Sequence, residues 1–296
     1  MSSSPADADV RPDWFLAAVG DEGEDRSVEV SGAEVRYRVW GPADAPLVVL
    51  VHGGAAHGGW WDHVAPQLAD GRRIAAMDLS GHGSSGVRAS YDFETWADEV
   101  IAVAHAEGSA KPFVVGHSMG GVVALTAAFR HAARLAGAVV VDIPDWVLQG
   151  RVPPRPDELP PRRHHPTREE AQRRFRARPD DPARLGFVVD HVASRSVRRT
   201  DDGWTWRFDH AVTTHASFPE GLWGRDRCPL VLVVAERGLL ASQDVDELVQ
   251  LLGGVDTVTI ADAGHHVMLD QPLALVACLD RVLDSWGVAT ADLGLV

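Results

Sequence analysis

The chain has 296 residues, of which 45% are hydrophobic and 24% are charged, values typical of a soluble globular protein. This composition excludes collagen, a coiled coil and wholesale disorder, and at about 100–200 residues per domain the length indicates one large domain. The formal net charge is −14, so we expect neither nucleic acid nor an anionic membrane surface as a partner. The charge is uneven, because residues 151–227 hold 16 basic and 12 acidic side chains, a net charge of +4.

Targeting and cysteine patterns favour a cytoplasmic protein. No stretch approaches the roughly 18 consecutive apolar residues that a membrane-spanning helix needs, and residues 1–9 lack the basic start and apolar core of a secretory signal. The two cysteines, Cys228 and Cys278, are isolated in the sequence and form neither a disulfide framework nor a zinc-binding pair. Buried free thiols are typical of a reducing compartment.

The apolar pattern predicts an α/β fold. After a polar leader (residues 1–26), half-buried strands are predicted at 28–30 and 35–40, with a turn at Ser31-Gly32. Further apolar runs predict strands at 47–51, 74–77, 113–115, 138–141, 230–234 and 255–260. Helical periodicity lies at 93–105, 119–135, 245–252 and 272–286. This alternation indicates a mostly parallel central sheet flanked by helices.

One interval, 144–227, breaks this alternation, because it is rich in proline and arginine and has no long apolar strand. Thr167-Arg-Glu-Glu170 has the form of a capping box, so a helix is predicted to begin there and to end before Pro179. The interval is too long for a simple loop, and we interpret it as a helical cap. The remaining parts are the core, 27–143 and 228–287, and a short tail, 288–296.

The segment Gly116-His-Ser-Met-Gly120 lies between a predicted strand and a predicted helix. A strand that turns directly into a helix holds its first residue in a strained conformation with the side chain exposed, and Gly116 and Gly120 avoid collisions there. The helix also directs its first amides toward the space above Ser118. We therefore predict Ser118 as a nucleophile and the amide of Met119 as an oxyanion donor.

Two loops at the carboxyl ends of strands supply candidate partners for this serine. Gly54, in His52-Gly-Gly54, offers a second backbone donor to an oxyanion, and His52 is expected to support that loop. In the loop before the last helix, His265 directly follows Gly264 and is the predicted base, since a serine hydroxyl needs a base to take its proton. His266 is expected to line the pocket.

These features resemble the α/β-hydrolase superfamily, and the resemblance covers residues 27–287. Further matching segments are His52-Gly53, Asp78-Leu-Ser-Gly-His-Gly-Ser-Ser85 and Ala263-Gly-His265. The resemblance implies a nucleophile elbow, the chain order serine, acid, histidine, and a cap inserted between sheet strands six and seven. It implies no metal and no organic cofactor, because serine, histidine and acid supply the nucleophile, the base and the electrostatic support.

The acid departs from the superfamily's commonest pattern. Relatives usually carry it after strand seven in a turn resembling Gly-x-x-Asp, whereas this chain has Ala235-Glu-Arg-Gly238 there. Some relatives instead place a carboxylate at the end of strand six, where this chain has Asp142. We favour Asp142 as the group that orients the histidine. Glu236 and Asp244 remain alternatives.

The expected activity is hydrolysis of an ester or lactone of a small organic molecule through an acyl-enzyme intermediate. Aromatic side chains at Trp60 and Trp146 are expected to line the substrate pocket together with His266. Serine at the elbow disfavours a haloalkane dehalogenase or an epoxide hydrolase, which need a carboxylate there. A carbon–carbon bond hydrolase acting on a diketone, an acyltransferase and a non-catalytic small-molecule receptor remain open, as does a homo-oligomer.

Overall fold

The structure is a computed structural model that describes residues 11–148, 161–214 and 226–291. Its strands are β1 (Glu24–Val30), β2 (Ala33–Trp40), β3 (Leu47–Val51), β4 (Arg73–Met77), β5 (Phe113–His117), β6 (Gly137–Val141), β7 (Val197–Thr200), β8 (Gly203–Trp206), β9 (Leu230–Arg237) and β10 (Asp256–Gly264). Its α-helices are α1 (Asp13–Gly20), α2 (Phe93–Ala106), α3 (Met119–Arg130), α4 (Arg168–Arg173), α5 (Gly186–Arg195), α6 (Ser242–Leu251), α7 (Val267–Asp270) and α8 (Pro272–Ala291).

Within the described residues, eight strands form one sheet in the order β1-β2-β4-β3-β5-β6-β9-β10. Only the first two pairings, β1 with β2 and β2 with β4, are antiparallel. The other neighbours are parallel, so the carboxyl ends of β3, β5, β6, β9 and β10 meet at one edge. This is the predicted α/β fold, with the cap inserted between the sixth and seventh strands of the sheet.

Both faces of the sheet are buried, which explains the continuous apolar runs. In β3 the side chain of Val49 packs in one apolar cluster with Leu125 of α3. Val48 points to the opposite face, where its cluster contains Leu279 of α8. Side chains alternate across a strand, so each strand between two helical layers needs an apolar residue at every position.

The cap contains a β-hairpin as well as helices. Helix α4 begins where the capping box predicts, with the Thr167 hydroxyl accepting from the amide of Glu170, but it ends at Arg173. The hairpin of β7 and β8 is a correction to the purely helical cap; each strand has only four residues, with two arginines in β7 and Trp-Thr-Trp in β8, too short for a clear apolar pattern. Backbone bonds join the hairpin's exit to the core, since Gly83 N–H donates to Arg207 O and Asp209 N–H donates to Gly81 O, each at 2.7 Å. The cap residues 149–160 and 215–225 lie outside the described residues.

The prediction of a loose leader over residues 1–26 is wrong for residues 13–20, which form α1. Phe15 is fully buried in this helix, with its ring centroid 4.8 Å from that of Phe187 in the cap helix α5. The helix carries an apolar run, Trp14 to Val19, between polar flanks, and the burial of Phe15 fixes it against the cap. At the other end, α8 continues to residue 291, into the predicted tail.

None of the helices among the described residues is both long enough and apolar enough to cross a bilayer.

Candidate active site

Ser118 lies in the sharp bend between β5 and α3. Its backbone has φ 55° and ψ −120°, in the left-handed half of conformational space that L residues rarely adopt. The bend has no room for side chains nearby, because a Cβ at Gly116 would overlap the carbonyl of Gly120, and one at Gly120 would overlap that of His52. The amide of Ser118 donates to Val141 O of β6 over 2.9 Å. The elbow geometry therefore follows from two glycines and one inter-strand hydrogen bond.

The structure brings Ser118, His265 and Asp142 together. Oγ of Ser118 lies 3.0 Å from Nε2 of His265, and Nδ1 of His265 lies 2.7 Å from Oδ2 of Asp142. Asp142 is fully buried, and the His265 side chain is 4% exposed. With Nδ1–H donating to the carboxylate, Nε2 carries the lone pair that accepts the serine hydroxyl. This is the arrangement in which an imidazole can remove a proton from serine.

Asp142 is held by the strand beside it. Its amide donates to Val233 O over 2.8 Å, and its carboxylate accepts from the amides of Ala235 and Leu239, each at 3.1 Å. Its φ of 42° is again left-handed. A Cβ at Gly238 would overlap the carboxylate, so the glycine after β9 provides the space that Asp142 occupies.

The two alternative acids are used elsewhere. Glu236 accepts from the amide of Asp262 over 2.7 Å, and Asp244 accepts from the amide of Ala241 at the start of α6 over 3.0 Å. Neither carboxylate is hydrogen-bonded to His265 among the described contacts. Asp142 is therefore the carboxylate that the structure places on the histidine.

The His265 loop has two supports that the sequence analysis missed. Nε2–H of His117 donates to His265 O over 2.8 Å, and the amide of Gly264 donates to Oδ2 of Asp270 over 2.9 Å. His117 was detectable in principle, because it directly precedes the elbow serine. Asp270 carries no such signal, since it lies in the short helix α7. Burial is the main cause that raises the pKa of Asp270 to about 6.

The predicted oxyanion donors lie on either side of the elbow. The amide of Met119 is the first of helix α3, and such amides have no partner within their helix. Gly54 faces this residue, since a Cβ on it would lie 3.7 Å from Sδ of Met119. The loop is supported by His52, whose Nδ1–H donates to Gly53 O over 2.7 Å while Nε2 accepts from the amide of Leu79 over 3.1 Å. His52 thus supports the loop of Gly53 and Gly54, as the sequence predicted.

A cavity of about 340 Å³ lies between the core and the cap, and it reaches the site at Gly54 and His266. Its wall contains Gly54, Trp60 and His266 from the core, as expected, and Phe175 and Trp206 from the cap. Aromatic rings in the wall provide apolar surface for an organic substrate.

Trp146 is a correction to the predicted pocket. Its ring packs against that of Phe93, with centroids 6.2 Å apart, and it contributes to the apolar cluster between the sheet and α2 and α3. It is not among the described residues that line the 340 Å³ cavity. A tryptophan at the start of a cap packs on the core as readily as on a ligand.

His117, His265 and His266 form the one cluster of possible metal ligands in the described part of the chain, each with a ring nitrogen within 4.8 Å of the other two. Burial lowers the pKa of His266 to about 3 and that of His117 well below its usual 6.5, so both rings are neutral. Both ring nitrogens of His265 already bond Asp142 and Ser118. A metal ion on Nε2 of His265 would replace the hydrogen bond to Ser118. The arrangement therefore fits a hydrogen-bonded histidine better than a metal ligand.

Residues 48–277 match the Alpha/beta hydrolase family. The chain is 30% identical over 265 residues to Esterase Rv0045c of Mycobacterium tuberculosis, covering 83% of this chain and 85% of that protein. The crystal structure of that esterase superposes with a TM-score of 0.71 at 27% identity, over 91% of this chain and 95% of the other. A thioesterase domain from the curacin biosynthetic pathway shares the fold, with a TM-score of 0.72 and 21% identity over 86% of this chain and 98% of that domain.

Local similarity extends to other hydrolases, such as Epoxide hydrolase B of Mycobacterium tuberculosis, which is 35% identical over 125 residues, 40% of this chain and 35% of that protein. The family match spans most of the sheet and every residue of the hydrogen-bonded serine, histidine and aspartate set. The chain belongs to the α/β-hydrolase family.

Proposed function

We propose that this protein is a serine hydrolase that cleaves an ester or lactone of a small organic molecule through an acyl-enzyme intermediate. The observation that carries the proposal is the 3.0 Å contact between Oγ of Ser118 and Nε2 of His265, with Asp142 bonded behind the imidazole. The similarity to an esterase along most of both chains supports the same reaction class.

In the first half of the reaction, Oγ of Ser118 attacks the substrate carbonyl carbon while its proton passes to Nε2 of His265. The electron pair of the carbonyl bond moves to oxygen, and the amides of Gly54 and Met119 stabilise that negative charge. Asp142 accepts the Nδ1–H of His265 throughout, which keeps the correct tautomer and stabilises the imidazolium. The tetrahedral intermediate then collapses, and the leaving alcohol takes the proton from His265.

In the second half, a water molecule replaces the alcohol. His265 removes a proton from it, the resulting hydroxide attacks the acyl carbon, and the bond to Ser118 breaks as the serine regains its proton. All proton transfers therefore pass through one ring nitrogen. The cavity of about 340 Å³ lies at the small end of typical ligand pockets, so the proposed substrates are short or compact acyl or alcohol groups.

A carboxylate nucleophile, as in an epoxide hydrolase, does not fit this site. The elbow position is serine, and the neighbouring imidazole has its lone pair on the serine hydroxyl. Local similarity to epoxide hydrolases over 40% of the chain reflects the shared fold core.

The test is ester turnover by the purified protein and by Ser118→Ala, with Ser285→Ala as the matched control. Ser285 lies on α8 and donates to Val282 O, remote from the elbow in the fold. We expect Ser118→Ala to lose about 10,000-fold or more of kcat, the scale of loss for a catalytic serine, while Ser285→Ala keeps the wild-type rate. A fluorophosphonate should add its phosphonyl mass to Ser118 in the wild type and in Ser285→Ala, and should leave Ser118→Ala unlabelled.

The substrate panel should contain p-nitrophenyl esters of increasing acyl length, a lactone and a vinylogous diketone, each with and without a competing alcohol. Hydrolysis of the diketone in preference to esters would favour carbon–carbon bond cleavage, and ester formation with the alcohol would favour acyl transfer. Covalent labelling without turnover of any substrate would favour a receptor. Wild-type rates in Ser118→Ala would reject the proposal.

A further inference from the structure

A second cavity, of about 310 Å³, lies between the cap and the core. We call it the arginine cavity, because five arginines line it: Arg36, Arg38, Arg168, Arg195 and Arg207. Its wall also contains His57, Gly58 and Gly59. These residues belong to the same loop as Gly54 and Trp60, which line the cavity of about 340 Å³. The two cavities therefore share one loop, but neither the serine nor the histidine of the catalytic set borders the arginine cavity.

Two of the cap arginines have no carboxylate partner. Arg168 donates to Ser194 O over 2.9 Å, and Arg207 donates to Val197 O and to Oγ of Ser84, each at 3.1 Å. Among residues 11–148, 161–214 and 226–291, no carboxylate oxygen lies within 4.0 Å of either guanidinium. The contacts of these two guanidinium groups are therefore neutral: backbone and hydroxyl oxygens and, for Arg168, the ring of Trp204, whose centroid lies 5.9 Å from Cζ.

The other arginines differ, because each has an ion pair. Arg195 lies 3.2 Å from Asp62, which also pairs with Arg38, and Arg36 lies 3.2 Å from Glu34. The Asp62 carboxylate thus forms ion pairs with two of the five arginines. This leaves the positive charge concentrated on the cap side of the cavity.

The carboxylates in the wall, Asp25 and Asp78, do not balance the cations. Asp78 accepts from the amides of Gly58 and Ser84, each at 2.7 Å, and its oxygens face the backbone of the loop. Asp25 is exposed on β1. Counting Glu34 and Asp62, which pair with Arg36, Arg38 and Arg195, four carboxylates therefore meet five guanidinium groups.

The pKa of Arg207 reflects its burial first and its charged neighbours second. Burial lowers the pKa of its guanidinium below the ordinary value; the charge of Asp78 opposes this effect, and the charges of Arg195 and Arg168 add to it. A bound anion would relieve both the burial cost and the repulsion between these cations.

We propose that the arginine cavity binds the phosphate group of a small molecule, with Arg168, Arg195 and Arg207 as its ligands. The planar guanidinium presents paired N–H donors that match phosphate oxygens, and charged hydrogen bonds of this kind are among the strongest in proteins. A phosphate is smaller than 310 Å³, so the cavity has space for part of an organic group attached to it. The three arginines belong to the cap, whereas Arg36 and Gly58 belong to the core, so the anion would also join the two parts.

The test is calorimetric titration of the purified protein with inorganic phosphate and, separately, with phenyl phosphate, at constant ionic strength in chloride. We expect saturable binding of one anion per chain, weakened about tenfold or more in Arg168→Gln and Arg207→Gln, the loss expected for one charged hydrogen-bonding group. Arg134→Gln is the matched control, since Arg134 is exposed outside the cavity, and it should bind as the wild type does. Tighter binding of phenyl phosphate would identify a phosphate ester as the ligand, and equal binding would identify the free anion.

Arg168 is exposed at the start of α4, so Arg168→Gln is expected to fold even if the more buried Arg207 variant does not. Phosphate should raise the Tm of the wild type and of Arg134→Gln, but not that of Arg168→Gln. Ester turnover without phosphate should be the same in all three proteins, because none of the changes touches Ser118 or His265. Unsaturable heats, or equal affinity in Arg168→Gln and Arg134→Gln, would overturn the proposal.

Discussion

The carboxylate of Asp142, at the end of β6, occupies the space that a side chain at position 238, after β9, would fill. These are the two positions at which the resemblance to α/β hydrolases puts the acid, and in this chain glycine at one leaves the space that the aspartate at the other fills. The departure from the commoner pattern is therefore a relocation of the acid, in which both residues take part.

Asp142→Asn tests whether the carboxylate orients the imidazole. The amide side chain has nearly the same shape but cannot hold the same tautomer of His265, so we expect kcat to fall about 1,000- to 10,000-fold with a smaller change in KM. Steady-state kinetics on a p-nitrophenyl ester measure both. Asp145→Asn, an exposed aspartate three residues later, is the control and should be unaffected; a similar loss in both variants would assign the effect to the cap entrance instead.

A double variant tests the relocation directly. Gly238→Ala alone should inactivate the enzyme, because its Cβ overlaps the Asp142 carboxylate. Asp142→Gly together with Gly238→Asp returns a carboxylate to the same space from the neighbouring strand, and we expect about tenfold or more activity over Asp142→Gly alone, within the range of coupling between contacting residues. A double variant no more active than Asp142→Gly would show that the two positions are not equivalent for catalysis.

Phe15→Ala tests the contribution of α1. The ring is fully buried between the core and Phe187 of the cap, and we expect truncation to lower the free energy of unfolding by about 3–4 kcal/mol. Leu16 is the matched control, since its side chain is 49% exposed and Leu16→Ala should change stability by less than about 0.5 kcal/mol. Chemical denaturation followed by tryptophan fluorescence measures both, and equal effects would contradict the packing described for α1.

Asp270→Asn tests how much stability the protein loses when the buried carboxyl group beside the His265 loop ionises. Because the folded-state pKa is raised from 3.8 to about 6, the protonated form stabilises the fold at low pH, and this stability is lost as pH rises through about 6. Asparagine is neutral at every pH, so its Tm should exceed that of the wild type by about 6 °C or more at about pH 8, because a pKa raised from 3.8 to about 6 corresponds to about 3 kcal/mol.

The advantage of Asp270→Asn should disappear at about pH 4, where the wild-type carboxylate is protonated in the folded protein. Thermal melts of both proteins across this range provide the measurement. A difference in Tm that does not change with pH would assign the effect to the hydrogen bond with Gly264 rather than to ionisation.

Strong periodicity and local motifs were enough to predict the sheet, the elbow and the residues that meet at Ser118. The end of each apolar run marked the end of a buried strand and placed the His265 loop, and the resemblance to α/β hydrolases then singled out Asp142 at the end of β6. The hairpin of the cap could not be predicted in this way, because β7 contains Arg198 and Arg199 and buries only one apolar side chain, Val197.

Other features depend on contacts between distant segments. The order of α1 depends on Phe187, more than 170 positions later in the chain, and the orientation of Trp146 depends on Phe93. The arginine cavity likewise exists only where the cap meets the core. A local pattern marks the apolar run of α1, Trp14 to Val19, but none gives the distant residues that these segments contact.

The hydrogen bonds from Ser118 N–H to Val141 O and from Asp142 N–H to Val233 O have a consequence for refolding. Each links a reacting residue to the adjacent strand, so the three side chains meet only when β5, β6 and β9 have paired in the native register. A slip of one residue would send the aspartate to the opposite face of the sheet. Recovery of enzyme activity after dilution from denaturant should therefore follow, and never precede, recovery of native strand order.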